Sequence, residues 1–121
     1  WYAANPGASN ANVYKNQGFA LSTTDLTSIY TVPTGRTTII KSIQITNEHS
    51  SNNLVEISIT DTSASATYEI YHSTMAAGTT ENGALSAIIM ESGDILKIQV
   101  GVVDKIEGII SFLEIFDEKS A

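Results

Sequence analysis

Cysteine is absent from the 121 residues, which removes a disulfide frame, a thiolate nucleophile and thiol metal ligation together. The chain is therefore indifferent to redox compartment. Only two prolines occur, so long stretches are free to pair as strands. Cations are also few. Six Lys and Arg stand against 13 Asp and Glu, giving a net charge of −7, and the six are scattered rather than gathered into a basic stripe. That balance disfavours a nucleic-acid backbone as partner on electrostatic grounds. No apolar run approaches the roughly 20 residues of a membrane-spanning helix, and residues 1–18 lack the apolar core of a signal peptide. No nucleic-acid or membrane partner is expected.

What is present is an ordinary globular composition, 42% hydrophobic and 16% charged, in a chain long enough for one domain that buries roughly two-thirds of its unfolded surface. The most ordered pattern runs from Thr27 to Asn47. Two apolar runs, Ile29–Val32 and Ile39–Ile45, flank Pro33-Thr34-Gly35, a reversal signal by its proline and glycine. The two runs are expected to form a hairpin-like pair. Ile39, Ile43 and Ile45 alternate with Ser42, Gln44 and Thr46, which reads as a strand with one buried face; Lys41 and Ile40 break the alternation in its early half.

Residues 1–18 (WYAANPGASNANVYKNQG) follow neither the helical nor the strand period and read as an extended arm, with a turn signal at Asn5-Pro6-Gly7. The remaining strands are expected at Phe19–Thr23, Leu54–Thr60, Thr67–Met75, Ala84–Met90, Ile95–Val100 and Ile109–Phe116. Tyr68, Ile70 and His72 are assigned inward on the fifth of these eight, Glu69, Tyr71 and Ser73 outward. The last run, IISFLEIF, is almost continuously apolar and reads as covered on both faces. Residues 76–83 read as a flexible loop and residues 117–121 as a solvated tail. About eight short strands at intervals of roughly 10 to 13 residues, with turn signals between them, give an all-β fold: a single β-sandwich over residues 19–116, jelly-roll-like or immunoglobulin-like.

Chemistry is sparse. His49 lies in a Ser/Asn loop, and His72 has no sequence partner that would complete a three- or four-ligand metal set. No Gly-x-Ser-x-Gly elbow occurs, and the carboxylates fall in loops, turns or outward strand positions, so no catalytic residue, metal or cofactor is assigned. A calcium ion at Asp61 or Asp94 lacks a ligand series of the EF-hand sort. Aromatics offer two readings. The arm is expected either to lie back on its own domain or to dock on a neighbouring subunit, because its aromatics would each bury a large apolar area; in the second case Trp1, Tyr2, Tyr14 and Phe19, with Asn5 and Asn10 as polar contacts, form the interface. Tyr71, if outward, would be a stacking platform for a glycan, or simply a cross-strand packing partner.

The run from Ser28 to Asn47, SIYTVPTGRTTIIKSIQITN, followed by Glu91-Ser-Gly-Asp94 with Ile95–Val100 and by Ile110-Ser-Phe-Leu-Glu-Ile115, resembles small β-sandwich structural proteins of tailed-bacteriophage virions. The resemblance covers about residues 28–116, and the order of the motifs carries it. It implies a virion component: a capsid decoration or cement subunit, or a neck-, tail- or fibre-associated protein, on the outer surface of the particle. The implied partners are other virion proteins, the major capsid protein or neck and tail proteins, and further copies in a homo-oligomer. It implies no enzymatic activity. A carbohydrate-binding module for host attachment is the alternative from another class.

Overall fold

The computed structural model describes residues 12–117. Among them are nine strands and no helix: β1 (Val13–Ala20), β2 (Thr27–Thr31), β3 (Arg36–Asn47), β4 (Asn53–Asp61), β5 (Ala66–Met75), β6 (Thr80–Asn82), β7 (Ile88–Met90), β8 (Ile95–Val100) and β9 (Ile106–Phe116). They form two antiparallel sheets. The first has the order β1-β9-β3-β6, with β7 also pairing β3; the second has the order β2-β8-β4-β5. Only β4 and β5 are consecutive neighbours within the second sheet, and most other connections cross between the layers. That is the jelly-roll arrangement of a β-sandwich. An immunoglobulin-like order would pair the first two strands in one sheet, whereas β1 here pairs β9 and β2 pairs β8.

The core lies between the layers. Ile40, Ile43, Ile45, Ile106, Ile110 and Phe112 from the first sheet meet Val55, Ile57, Met75, Leu96, Ile98 and Val100 from the second. Burial of this kind stabilises by roughly 25 cal/mol per Å² of apolar surface removed from water.

Several expectations change. β2 and β3 are not a hairpin, since they lie in opposite sheets. Pro33 ends the β2 ladder, and Val32 is held instead by the β8 turn, its N–H donating to the Asp94 carbonyl at 2.9 Å. The reversal itself is real: the Arg36 N–H donates to the Pro33 carbonyl, and Gly35 takes φ 80°, which an L residue resists. Residues 13–18 are not part of an arm but pair with β9. Residues 80–82, read as loop, form β6 because Asn82 accepts the Ile43 and Ala84 N–H groups and Thr46 bonds Thr80.

Three register shifts occur, one of them at Ile29 of β2 between Ser28 and Tyr30, and the other two overturn expected faces. The first of those two falls in β3 between Ile40 and Ser42, so Ile40, Ile43 and Ile45 share the core face while Lys41 is exposed and Ile39 points the other way. The second falls opposite Ile57/Ser58, at Ile70 of β5. An extra residue shifts the pattern by one; Tyr71 therefore packs on the core and His72 is exposed, the reverse of the sequence assignment.

A buried polar seam joins the sheets. The Tyr30 hydroxyl of β2 donates to Glu114 Oε2 of β9 at 2.7 Å and contacts the Thr38 hydroxyl at 2.6 Å. Glu114 Oε1 takes Arg36 at 2.8 Å and Lys15 at 3.0 Å. Burial pushes the Tyr30 phenol up, and the Glu114 bond adds to that. Burial also acts to raise Glu114, but the bonds from Tyr30, Lys15 and Arg36 outweigh it and hold the carboxyl below its usual value.

Two measurements test this packing. A Cβ at Gly108 would overlap the Gln44 carbonyl oxygen and press on the Phe19 ring at 2.9 Å, so Gly108→Ala is expected to lower urea-unfolding stability by about 2–3 kcal/mol; a loss below about 0.5 would show that β9 can shift away. Glu114→Gln is expected to cost about 2 kcal/mol at neutral pH, less than a fully buried pair because Lys15 and Arg36 are partly solvated. A carboxyl lowered in the folded state stabilises above its unfolded value, about 4.3, and that contribution disappears as pH falls through the folded value. The gap between wild type and Glu114→Gln should thus close in acid; a gap constant from pH 7 to 3 would refute the charge assignment.

Candidate interaction surface

Cross-strand partners share a sheet face, so the register sets what each outer surface presents. On the first sheet one row runs Tyr14–Leu113–Ile39–Ile89 across β1, β9, β3 and β7. Tyr14 is 75% and Ile89 69% exposed, and Leu113 and Ile39 are half-buried. The neighbouring row on the side of Phe116 is Ile115–Thr37; on the other side come Asn16–Ser111–Ser42 and then Gly18–Ile109–Gln44–Asn82. These four rows hold no charged residue. Charges border them: the Asp117 carboxylate accepts the Thr37 hydroxyl at 2.7 Å, Glu81 lies beside Asn82, Lys41 sits at the bulge, and Glu107 belongs to the last row, Ala20–Glu107–Thr46–Thr80.

The second sheet's outer face carries more charge. Its central rows, Ser28–Lys97–Ser58–Glu69 and Gln99–Glu56–His72, hold the charged residues and are flanked by the uncharged Thr31–Ile95–Thr60–Thr67 and Leu54–Thr74. His72 Nδ1 lies 3.2 Å from Glu69 and 3.4 Å from Glu56. Hydrogen bonding to Glu69 and partial burial raise the Glu56 carboxyl, with His72 opposing them. This face is hydrated and carries charge of both signs.

The seam between β5 and β6 is polar inside and apolar at its mouth. The Tyr71 hydroxyl donates to Glu81 Oε1, as does the Ser73 hydroxyl at 2.7 Å. Burial, then the Glu81 bond, raises the Tyr71 phenol. Beside it an open groove of about 250 Å³ is lined by Ile70, Gly83, Leu85, Ser86 and Ile88. A second hollow of about 260 Å³, on the first sheet's outer face, is lined by Ser42, Gln44, Thr80, Glu81 and Asn82. Neither brings a nucleophile to a base.

Two acidic groupings occur among the described residues. Glu56, Glu69 and His72 form one; Asp61, Glu91 and Asp94 form the other. In the second, Asp94 is a loop brace: Oδ1 accepts the Thr62 N–H and Oδ2 the Glu91 N–H. Those bonds explain the buried carboxylate without a ligand.

Of the residues expected at an interface, Trp1, Tyr2, Asn5 and Asn10 lie outside the described residues. Tyr14 stands exposed on the first sheet's outer face. Phe19 does not: it packs against the domain's own core. Tyr71 likewise packs on the core and bonds Glu81 rather than standing outward as a sugar platform; the exposed aromatic of β5 is Tyr68. Sequence reasoning missed Ile39, Leu85 and Ile89 as surface residues, because an apolar run reads as buried. No protein-family model matches the chain, and no curated protein matches it.

The contrast within β5 is measurable. Tyr71→Phe is expected to cost about 1 kcal/mol by leaving Glu81 with one partner fewer, while Tyr68→Phe should stay within about 0.5. Equal effects in urea unfolding would contradict the bulge-shifted register.

Proposed function

We propose that this chain is a non-enzymatic structural subunit of a tailed-phage particle: a decoration or cement protein on the outer surface, bound to neighbouring virion proteins and repeated as a homo-oligomer. One observation carries the reading. The sandwich is two-faced: four neighbouring rows over the first sheet hold no charged residue and are partly apolar, whereas the central rows over the second carry Lys97, Glu69, Glu56 and His72. Contiguous exposed apolar surface marks interaction sites, and the depletion of charge is what interface centres show. The charged face is suited to solvent outside a shell, and the net charge of −7 keeps such a subunit away from packaged nucleic acid. The ordered resemblance of residues 28–116 to virion β-sandwich proteins supplies the kind of assembly. A glycan-binding reading relied on Tyr71 and loses support with that ring packed inward.

The test is the copy number and position of the chain in purified particles, by quantitative mass spectrometry and imaging. Copies in lattice number over the shell support decoration. A few dozen at one vertex or along the tail place the same fold in the neck or tail, and absence from particles overturns the proposal. Ile89→Asp, exposed and outside the core, is expected to leave stability within about 0.5 kcal/mol yet reduce particle occupancy at least tenfold. The informative truncation removes residues 1–11, because β1 begins at Val13 and a cut at 18 would destroy a strand.

A further inference from the structure

The second sheet ends at β5, ten residues from Ala66 to Met75 that pair with β4 alone among the described residues. From Thr67 to Thr74 the backbone makes no hydrogen bond among those residues beyond the β4 ladder. At the sheet's other edge, by contrast, the Gln17 side chain of β1 donates to the Ile29 carbonyl of β2. A row of unpaired N–H and C=O groups as long as that of β5 is a template for one more strand.

The surroundings of the edge define the strand that fits it. Between β5 and the β6–β7 connection lies the open groove of about 250 Å³, lined by Ile70, Gly83, Leu85, Ser86 and Ile88. Leu85 and Ile70 leave its mouth apolar and exposed. Toward solvent the edge is acidic. Glu69 and, one strand further in, Glu56 lie 3.2 and 3.4 Å from His72 Nδ1, and Glu81 faces β5 from the first sheet. Even with His72 protonated the three carboxylates leave net negative charge. Hydrogen bonding to Glu69 raises the Glu56 carboxyl, and a neighbouring ammonium would relieve that. Lys97 shares the row of Glu69, but Ser58 stands between them. A second copy of β5 is a poor occupant: it would gather the Glu56 and Glu69 carboxylates of two chains, each of net charge −7, on one face.

We propose that the free edge of β5 takes an extended segment of a partner protein in which basic and apolar residues alternate. Successive side chains of an added strand point to opposite faces. Its apolar residues enter the groove against Ile70, Leu85 and Ile88, and its Lys or Arg residues lie outward beside Glu69 and Glu56. The backbone ladder supplies affinity and the alternation supplies selectivity. Because the bulge leaves Ile70 outside the β4 pairing, Glu69 and His72 are successive outward positions although three apart in sequence, so basic residues two apart on the guest meet both. This edge belongs to the second sheet, whereas the attachment reading uses the outer face of the first, so neither proposal needs the other.

The probe is a fluorescent peptide as long as β5 in which lysine and valine alternate, titrated into the intact chain and followed by anisotropy and by amide hydrogen exchange. Saturable binding is expected, with slowed exchange at Thr67–Ser73 and none gained in β1. Three control peptides should bind at least about tenfold more weakly: one with the same residues in blocks, one with glutamate for lysine, and one N-methylated at alternate residues so that it lacks ladder donors. Glu69→Lys should weaken the lysine peptide about tenfold and strengthen the glutamate peptide, with far-UV dichroism and Tm retained. Leu85→Ser should weaken it several-fold, and Tyr14→Ser, exposed on the first sheet, should leave it unchanged. No saturable binding, equal affinity for the N-methylated or block peptide, indifference to Glu69→Lys, or protection at another edge overturns the proposal. No particle enters this measurement, so its failure leaves the virion reading standing, and absence of the chain from particles leaves the edge site standing.

Discussion

The fold depends on the pairing of β3 with β9, which runs from Arg36–Phe116 to Asn47–Ile106. These are the two long interior strands of the first sheet, and each of the other elements in that sheet hangs from one of them. The ladder is so close at Gly108 that no side chain fits between β9 and the Gln44 carbonyl. Ile40, Ile43, Ile45, Ile110 and Phe112 then present one continuous apolar surface on which the second sheet packs. At its end the same ladder places Thr38 beside Glu114, and Tyr30 crosses from the other sheet to bond both. A carboxylate in that position is tolerated because three donors meet it; its burial alone would favour the neutral form.

That central ladder also produces the asymmetry on which the functional reading turns. Long strands in the middle of a sheet have two faces, and here the buried face is not the sole apolar one. Leu113, Ile115, Ile39 and Ile109 extend hydrophobic character to the outside, while the second sheet's outer face carries charges at its centre, Glu56, Glu69, His72 and Lys97. A domain built this way has a side that favours contact and a side that favours water. Nothing resembling a catalytic cleft competes with that division among the described residues: the grooves are open, and the buried carboxylates Asp94 and Glu114 are satisfied by loop N–H groups or by the cross-sheet seam. The particle-subunit proposal follows from surface character, not from a reactive centre.

Much of the strand content was legible. Alternation in β4 and β8 put Val55, Ile57, Leu96, Ile98 and Val100 on the core side because neither strand is bulged on that face. The failures are local and share a cause. At Lys41 and Ile70 one extra residue shifts the alternation, and a periodicity argument has no term for an insertion that depends on the partner strand. Tyr71 and His72 exchanged sides for that reason. The candidate surface was harder still: Ile89 and Leu85 lie in an apolar run indistinguishable by sequence from core, yet Ile89 is exposed on β7, a three-residue edge, and Leu85 stands in the connection before it.

Residue chemistry by itself determined that the chain is all-β, disulfide-free and acidic, since composition and a period of two need no partner to be read. Which strands pair was decided by tertiary structure alone. Pro33-Thr34-Gly35 is a tight turn in either topology, yet whether it joins two strands of one sheet or turns the corner between two sheets depends on hydrogen bonds from Val32 to the distant β8 turn. The jelly-roll order, the Tyr30–Glu114 clamp and the apolar rows on the outer side of β9 all follow from that choice, because each joins residues far apart in sequence whose proximity no local pattern encodes.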